Sequence, residues 1–297
     1  MIKLKPFHYF KPSSLEEALS LLSQYGENAR VIAGGTDLLV MMKCRGLLTK
    51  YLVDIKGIPG LSSIEKKNDF FEIGSLARIN TIAQSDLIKE NLFIISQSAE
   101  TLGSYQIRNR ATIGGNICNG SPSADMVPAL LCLDASVLIS QIGSTRTVPL
   151  QYFFTGPGET VLLKNEILTR IIIPEPRGKL GAVYIKHSFR NALDLAIIGV
   201  AVKFEVDQGS YSSIRIAIGG VAPTPIRAHN AEEFLEKEGL YDKNINKASE
   251  IAADEIFPIS DVRASAEYRI GMTKILVKRG LELSLKSSKD LKCGGIL

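Results

Sequence analysis

The chain has 297 residues, 45% of them hydrophobic and 22% charged, a composition that excludes a disordered polymer and, at roughly 150 residues per domain, points to about two domains. Lys+Arg 35 against Asp+Glu 31 leaves a formal charge of +4 spread along the sequence, too diffuse for a nucleic-acid-binding protein. The longest apolar stretch, Val127 to Ile142, is broken by Pro128 and Asp134, so no membrane span is predicted, and Met1 to Pro6 lacks the apolar run of a secretion signal. A cytoplasmic protein is expected.

Ser14-Leu-Glu-Glu17 has the spacing of a capping box, opening an amphipathic helix through Leu15, Ala18, Leu19 and Leu22. Ala29 to Ala33 reads as a short buried strand, Gly34-Gly35-Thr36-Asp37 as a turn, and Leu38 to Lys43 as a helix. Tyr51 to Ile55 is a further strand. Ser63–Glu65 and Phe70–Ile73 read as a hairpin across Lys66-Lys67-Asn68-Asp69, followed by helical sequence from Ile79 to Leu102. A second glycine turn, Thr112-Ile113-Gly114-Gly115-Asn116, precedes Ser121-Pro-Ser-Ala-Asp125 and an apolar helix from Met126 to Leu133. Ala135 to Ile142 and Glu166 to Ile173 are predicted strands, the second stopped by Pro174-Glu-Pro176.

The segment Pro174 to Gly181 is the expected domain boundary. Beyond it, Ala196–Val206 and Tyr211–Val221 form a long hairpin across Asp207 to Ser210, with Ile214, Ile216 and Ile218 on one face. Helices follow over Ala231–Glu238, Lys243–Glu255 and Ala264–Leu285. In the last, Tyr268, Met272, Leu276 and Leu283 are expected to face the core, and residues 287–297 to form a flexible tail.

Cys44, Cys118, Cys132 and Cys293 show no C-x-x-C spacing, and His8, His187 and His229 lie far apart, so no metal site and four reduced thiols are expected. No nucleophile elbow or acid–base constellation is present either, and no catalytic residue is assigned. The two Gly-Gly segments remain. Paired glycines remove two Cβ atoms, permit positive φ and let successive amides converge on an anion. Thr36 and Asn116 could add side-chain bonds. No lysine lies in either turn, which suits a diphosphate bridge better than a triphosphate with magnesium. Each pair also reads simply as a tight turn, and neither has the G-x-G-x-x-G spacing of a Rossmann site.

The surrounding residues resemble a known family. Ala33 to Lys43 (AGGTDLLVMMK), Gln106 to Asn119 (QIRNRATIGGNICN), Ser121 to Asp125, Tyr184-Ile-Lys-His-Ser188, Gly220-Val-Ala-Pro-Thr-Pro225 and Ser260 to Arg269 (SDVRASAEYR) occur in the order found in the FAD-binding medium subunit of molybdenum hydroxylases, over residues 6–285. That resemblance implies an α+β fold: two FAD-binding subdomains of the vanillyl-alcohol-oxidase type (residues 1–56 and 57–176), then a smaller α+β domain (177–286) with a three-stranded antiparallel sheet and helices. It implies FAD as cofactor, with phosphate turns at Ala33, Gly34, Gly35, Thr36 and Asp37 and at Thr112, Ile113, Gly114, Gly115 and Asn116. Asp125 matches the acceptor for ribityl or ribose hydroxyls, Leu102 and Leu168 match positions near the flavin ring, and Lys186 matches a lysine near its pyrimidine edge. Asp125 also reads as an N-cap of the next helix, Leu102 and Leu168 as core leucines, Lys186 as a snorkelling lysine, and Arg108 and Arg110 as surface or partner-contact residues.

The resemblance further implies a large molybdopterin-binding partner and a small two-iron–two-sulfur partner, assembled as a dimer of heterotrimers, with electrons passed to an external acceptor. Asp194, where carbon monoxide dehydrogenases tend to carry an aromatic residue, and Thr36-Asp37 favour the xanthine- or aldehyde-dehydrogenase type; the four cysteines disfavour the 4-hydroxybenzoyl-CoA reductase branch. Other readings are a scaffold subunit without redox function and a free-standing FAD oxidoreductase.

Overall fold

The computed structural model of the chain describes residues 4–44, 46–207 and 210–290. Its first unit comprises β1 (His8–Phe10), α1 (Leu15–Tyr25), β2 (Ala29–Ile32), α2 (Leu38–Cys44) and β3 (Tyr51–Asp54), with the strands in a parallel sheet ordered β1-β3-β2. The expected capping box is present: Ser14 Oγ accepts from Glu17 N at 3.2 Å. The Glu17 carboxylate reaches back one residue further than the motif requires, to Ser13 N at 2.7 Å. Ala18, Leu19 and Leu22 on α1 bury against Val53 and Ile55.

The second unit carries β4 (Ile64–Lys67), β5 (Phe70–Gly74), helices α3 (Ile79–Gln84), α4 (Asp86–Asn91), α5 (Phe93–Thr101), α6 (Tyr105–Arg108), α7 (Ile113–Cys118) and α8 (Met126–Cys132), then β6 (Ser136–Gln141), β7 (Ser144–Pro149), β8 (Phe154–Gly156), β9 (Glu159–Thr160) and β10 (Ile167–Pro174). An antiparallel sheet ordered β4-β5-β10-β6-β7 packs its apolar face on these helices. The β4–β5 turn is tighter than predicted, since β4 runs to Lys67 and Asn68 takes a left-handed φ of 43°; asparagine tolerates that region better than most residues. In β10, Leu168 pairs with Ile139 but Arg170 with Leu138, so Thr169 is an extra residue in a bulge.

The third unit holds β11 (Lys179–His187), β12 (Ile198–Asp207), β13 (Ser210–Gly219), β14 (Ile226–Arg227), α9 (His229–Glu238), α10 (Asp242–Asp254) and α11 (Ala266–Asp290). The expected antiparallel three-stranded sheet is β11-β12-β13, and the two-residue β14 adds a fourth strand. Of the hairpin turn between β12 and β13, Gln208 and Gly209 lie outside the described residues. Ile214, Ile216 and Ile218 are buried together against the helices, as their alternation predicts. The sheet is covered on both faces. Ala182, Tyr184, Ala201 and Ala217 join the core of the second unit, while Val200, Val202 and Ile216 pack on α9–α11. The linker is fastened where Glu205, itself bonded to Lys203 at 2.6 Å, accepts from Arg177 N at 2.9 Å.

Two expectations for α11 fail. It continues past Leu285 to Asp290, and of the expected tail only 291–297 lie outside the described residues, Cys293 among them. Leu276 is buried, but Tyr268 and Leu283 are exposed. The buried stripe instead runs through Arg269, Thr273, Leu276, Val277, Leu281 and Ser284, and three polar members hide it from a hydrophobic-periodicity reading. No helix among the described residues is long and apolar enough to cross a membrane.

Candidate functional site

The two glycine segments, some eighty residues apart in sequence, are brought side by side where Gly34 packs on Arg110 and Ala111, just ahead of Thr112. A Cβ on Gly34 would fall on the carbonyl of Arg110, 2.8 Å from its carbon and 3.0 Å from Ala111 Cα. Only glycine allows this approach, which sets Ala33–Asp37 beside the start of the second segment. Gly35 has φ of 76°, the left-handed region that favours glycine. Among the described residues, none accepts a hydrogen bond from the amides of Gly34, Gly35 or Thr36. Half-buried amides of this kind suit an anion held by main chain alone. Thr36 is half-buried and Asp37, the last residue before α2, is exposed.

The second segment differs from expectation. Gly114 and Gly115 are the first turn of α7, with no positive φ, because Thr112 caps the helix: its Oγ accepts from Gly115 N at 3.1 Å. The amides of its neighbours after the cap are also engaged, Ile113 N with Ala77 O at 3.1 Å, Gly114 N with Ser75 O at 2.9 Å and Asn116 N with Thr112 O at 3.0 Å. A Cβ on Gly114 would lie 2.6 Å from Ser75 Cβ. With the Ile113–Asn116 amides engaged, this segment contributes chiefly shape and close approach. Asn116 is likewise occupied, its Oδ1 accepting from Met126 N at 3.4 Å.

That bond leads to Asp125. It stands at the expected N-cap position of α8, but its side chain makes no capping hydrogen bond. The carboxylate is buried and accepts from Tyr184 Oη at 3.2 Å and from Lys186 Nζ at 3.1 Å. Lys186, its side chain 7% exposed, does not snorkel to solvent; it also donates to Thr101 O at 3.0 Å, beside Leu102. Burial pushes the Asp125 carboxyl above the usual range against the pull of Lys186 and Tyr184. Burial and the facing carboxylate hold the Tyr184 phenol well above its ordinary value, so it is a neutral donor.

Ala33–Asp37, Thr112–Asn116, Asp125, Lys186 and Leu102 thus form one continuous tract. Leu168 is buried in the same core as Leu102 and Ile113, at the β10 bulge, without a polar link to the tract. Arg108 is no free surface residue, since it donates to Asn80 Oδ1 at 3.0 Å and to Leu102 O at 3.1 Å, whereas Arg110 is exposed. Tyr184 escaped sequence reading because one tyrosine in an apolar strand looks like core; its spacing of two from Lys186, on one strand face, was the available signal.

Residues 5–176 match the family model for the FAD binding domain in molybdopterin dehydrogenase, and residues 183–283 that for the CO dehydrogenase flavoprotein C-terminal domain. The chain is 33% identical to a xanthine dehydrogenase FAD-binding subunit of Escherichia coli O157:H7, over 91% of this chain and 93% of that one. It is 33% identical to a glyceraldehyde dehydrogenase medium chain of Sulfolobus acidocaldarius, over 93% and 97%. Among solved structures, a chain of carbon monoxide dehydrogenase from Hydrogenophaga pseudoflava superposes with a TM-score of 0.92 at 33% identity, over 96% of this chain and 99% of that one. With amides that no described residue accepts from in a glycine cradle, and a buried carboxylate along one tract, the chain belongs to the family of FAD-binding subunits of molybdenum-containing dehydrogenases.

Proposed function

We propose that this chain is the electron-transferring subunit of a molybdenum hydroxylase assembly, receiving electrons from a small two-iron–two-sulfur partner while a large molybdopterin-binding partner oxidises the substrate, in a cytoplasmic dimer of heterotrimers. The observation that carries this reading is the cradle in which Gly34 meets Arg110, leaving the Gly34–Thr36 amides without an acceptor among the described residues. Bound FAD supplies the redox chemistry and hands electrons to an external acceptor; the protein supplies binding, orientation and electrostatics.

The amides of Ala33–Asp37 would hold the diphosphate, with Thr112–Asn116 as the wall that shapes the cradle. Asp125 would accept from ribityl or ribose hydroxyls. The ribityl chain leaves the flavin ring beside its pyrimidine edge, so neighbouring Asp125 and Lys186, 3.0 Å apart, can serve those two parts of one ligand. A cation there favours extra electron density on the ring, and its pairing with Asp125 moderates that pull. Leu102 and Leu168 would pack near the ring and keep water from it. We assign residues 1–56 and 57–176 to the FAD-binding subdomains and 177–286 to the C-terminal domain, in line with the separate sheets.

Relatives at the same 33% identity are named for xanthine, glyceraldehyde and carbon monoxide, which supports a substrate chosen in the partner rather than here. Asp194, whose carboxylate accepts from Arg190 N and Leu195 N at 3.1 Å each, holds a loop where an aromatic residue would leave those amides unserved. This supports the xanthine or aldehyde type. Anaerobic addition of the molybdenum-site substrate to the purified assembly tests the proposal. Flavin absorbance should bleach within turnover; an oxidised flavin beside reduced iron–sulfur centres would refute it.

A further inference from the structure

Tyr184 has no part in the reading above. β11 presents Tyr184 and Lys186 on one face, where both reach Asp125, while Val183 and Ile185 pack into the other core. The register pairs Lys186 with Gly199 of β12. A Cβ on Gly199 would lie 2.8 Å from Tyr184 Oη, yet 3.4 Å from the nearest ring carbon, an ordinary contact. The glycine therefore makes room for the hydroxyl, not for the ring. Glycine inside a strand weakens it, and often marks such a close approach. A phenylalanine would fill the apolar slot without that concession.

We propose that Tyr184 is a positioning residue for the cofactor's hydroxylated chain: its phenol on Asp125 Oδ1, together with the Lys186 ammonium that reaches both carboxylate oxygens, fixes Asp125 so that its remaining acceptor capacity faces the ligand. This rests on the reading of Asp125 as the hydroxyl acceptor. A carboxylate offers about four lone-pair sites; one phenol and one ammonium leave at least one for a ligand hydroxyl. Lys186 is the charged group that meets the carboxylate and Tyr184 the other titratable one. Among the described residues, α5 brings the Gln97 side chain, which accepts from Tyr184 N, and the Thr101 carbonyl, which accepts from Lys186; Asn116 of α7 bonds the next amide, Met126 N. A protonated Asp125 is a poorer acceptor, so FAD affinity should fall on the acid side, and removing a donor to the carboxylate should move that fall to higher pH.

The test titrates the full chain with FAD from about pH 5 to about pH 9, a window without ionisation of FAD's diphosphate. Tyr184→Phe should weaken FAD about 5–10-fold near neutrality and shift the acid fall upward by about one pH unit. Gly199→Ala, which displaces the hydroxyl without deleting it, should shift it the same way, and Asp125→Asn should abolish the fall. In the ligand-free chain, the Asp125 carboxyl ¹³C resonance, assigned through Asp125→Asn, should titrate at higher pH in Tyr184→Phe. An unmoved resonance, or a folded Tyr184→Phe chain with unchanged FAD affinity and pH profile, overturns the inference. If instead the resonance moves while wild-type chain binds no FAD, Asp125 is not the hydroxyl acceptor and the proposal falls with that reading, although its coupling to Tyr184 stands.

Discussion

Gly34→Ala should separate the two glycine segments, and the structure sets the size of the effect. The new methyl group would meet the Arg110 carbonyl and Ala111 Cα, main-chain atoms that cannot rotate aside. Overpacking a tight site costs about 1–3 kcal/mol, and backbone obstacles place this case near the upper end. At about 1.4 kcal/mol per decade, a loss of about 3 kcal/mol in the loaded state weakens FAD roughly 100-fold. Gly115→Ala is the internal control. Its Cβ would meet only Thr112 Oγ at 3.0 Å, its φ is not positive, and alanine is favoured over glycine in a helix by up to about 1 kcal/mol. Its FAD affinity should stay within about threefold of wild type. Flavin fluorescence quenching on the full chains reads both affinities, with thermal melts of the ligand-free chains alongside. Wild-type affinity in Gly34→Ala, or equal damage from Gly115→Ala, would refute the argument that segment contact builds the cradle.

Lys186→Met should leave a buried carboxylate with Tyr184 alone and cost about 3–5 kcal/mol. Because Asp125's folded pKa lies above its unfolded value, its ionisation opposes folding as pH rises; chemical denaturation should show a larger loss at pH 8 than at pH 5, and equal losses would contradict the assignment. Asp261 has the opposite sign: burial raises its carboxyl, but donors from Arg263 N, Arg269 and Ala264 N bring it down to about 2. Its stabilisation is therefore complete above its unfolded pKa and is lost as pH falls toward about 2. Asp261→Asn should cost about 1–2 kcal/mol near neutrality, discounted for a quarter-exposed side chain, with the difference vanishing in acid denaturation curves. In a Cys293→Ser chain, thiol reagents should label exposed Cys44 at once, half-buried Cys118, whose thiol burial pushes up to about 12, more slowly, and buried Cys132 only after unfolding. Labelling of Cys132 in the folded chain as fast as that of Cys44 would contradict its burial.

Local rules made much of the fold legible. Ser14 with Glu17 marked a helix start, alternating isoleucines marked β13, and Pro174 ended β10. Short or polar edge elements were missed: β1 has three residues, and β7, Ser-Thr-Arg-Thr-Val-Pro, carries little apolar signal. The second glycine pair was misread because glycine's local preference for turns is overridden by the Thr112 cap and the Ser75 carbonyl. On α11, Arg269 was not among the residues expected to face the core, yet it is buried with its guanidinium on Ile197 O, Gly220 O and Asp261. Candidate-site residues were found through ordered motifs rather than periodicity. What no local pattern could reveal was their contact: Gly34 on Arg110 and Lys186 on Asp125 are tertiary facts, the second set where β11 packs on α5.

A crystal structure of the full chain grown with FAD tests the central claim most directly. The account predicts the diphosphate on the amides of Gly34 to Thr36, against the start of α7, with a ligand hydroxyl on Asp125. FAD bound elsewhere on the chain, or a diphosphate that touches neither glycine segment, would contradict it.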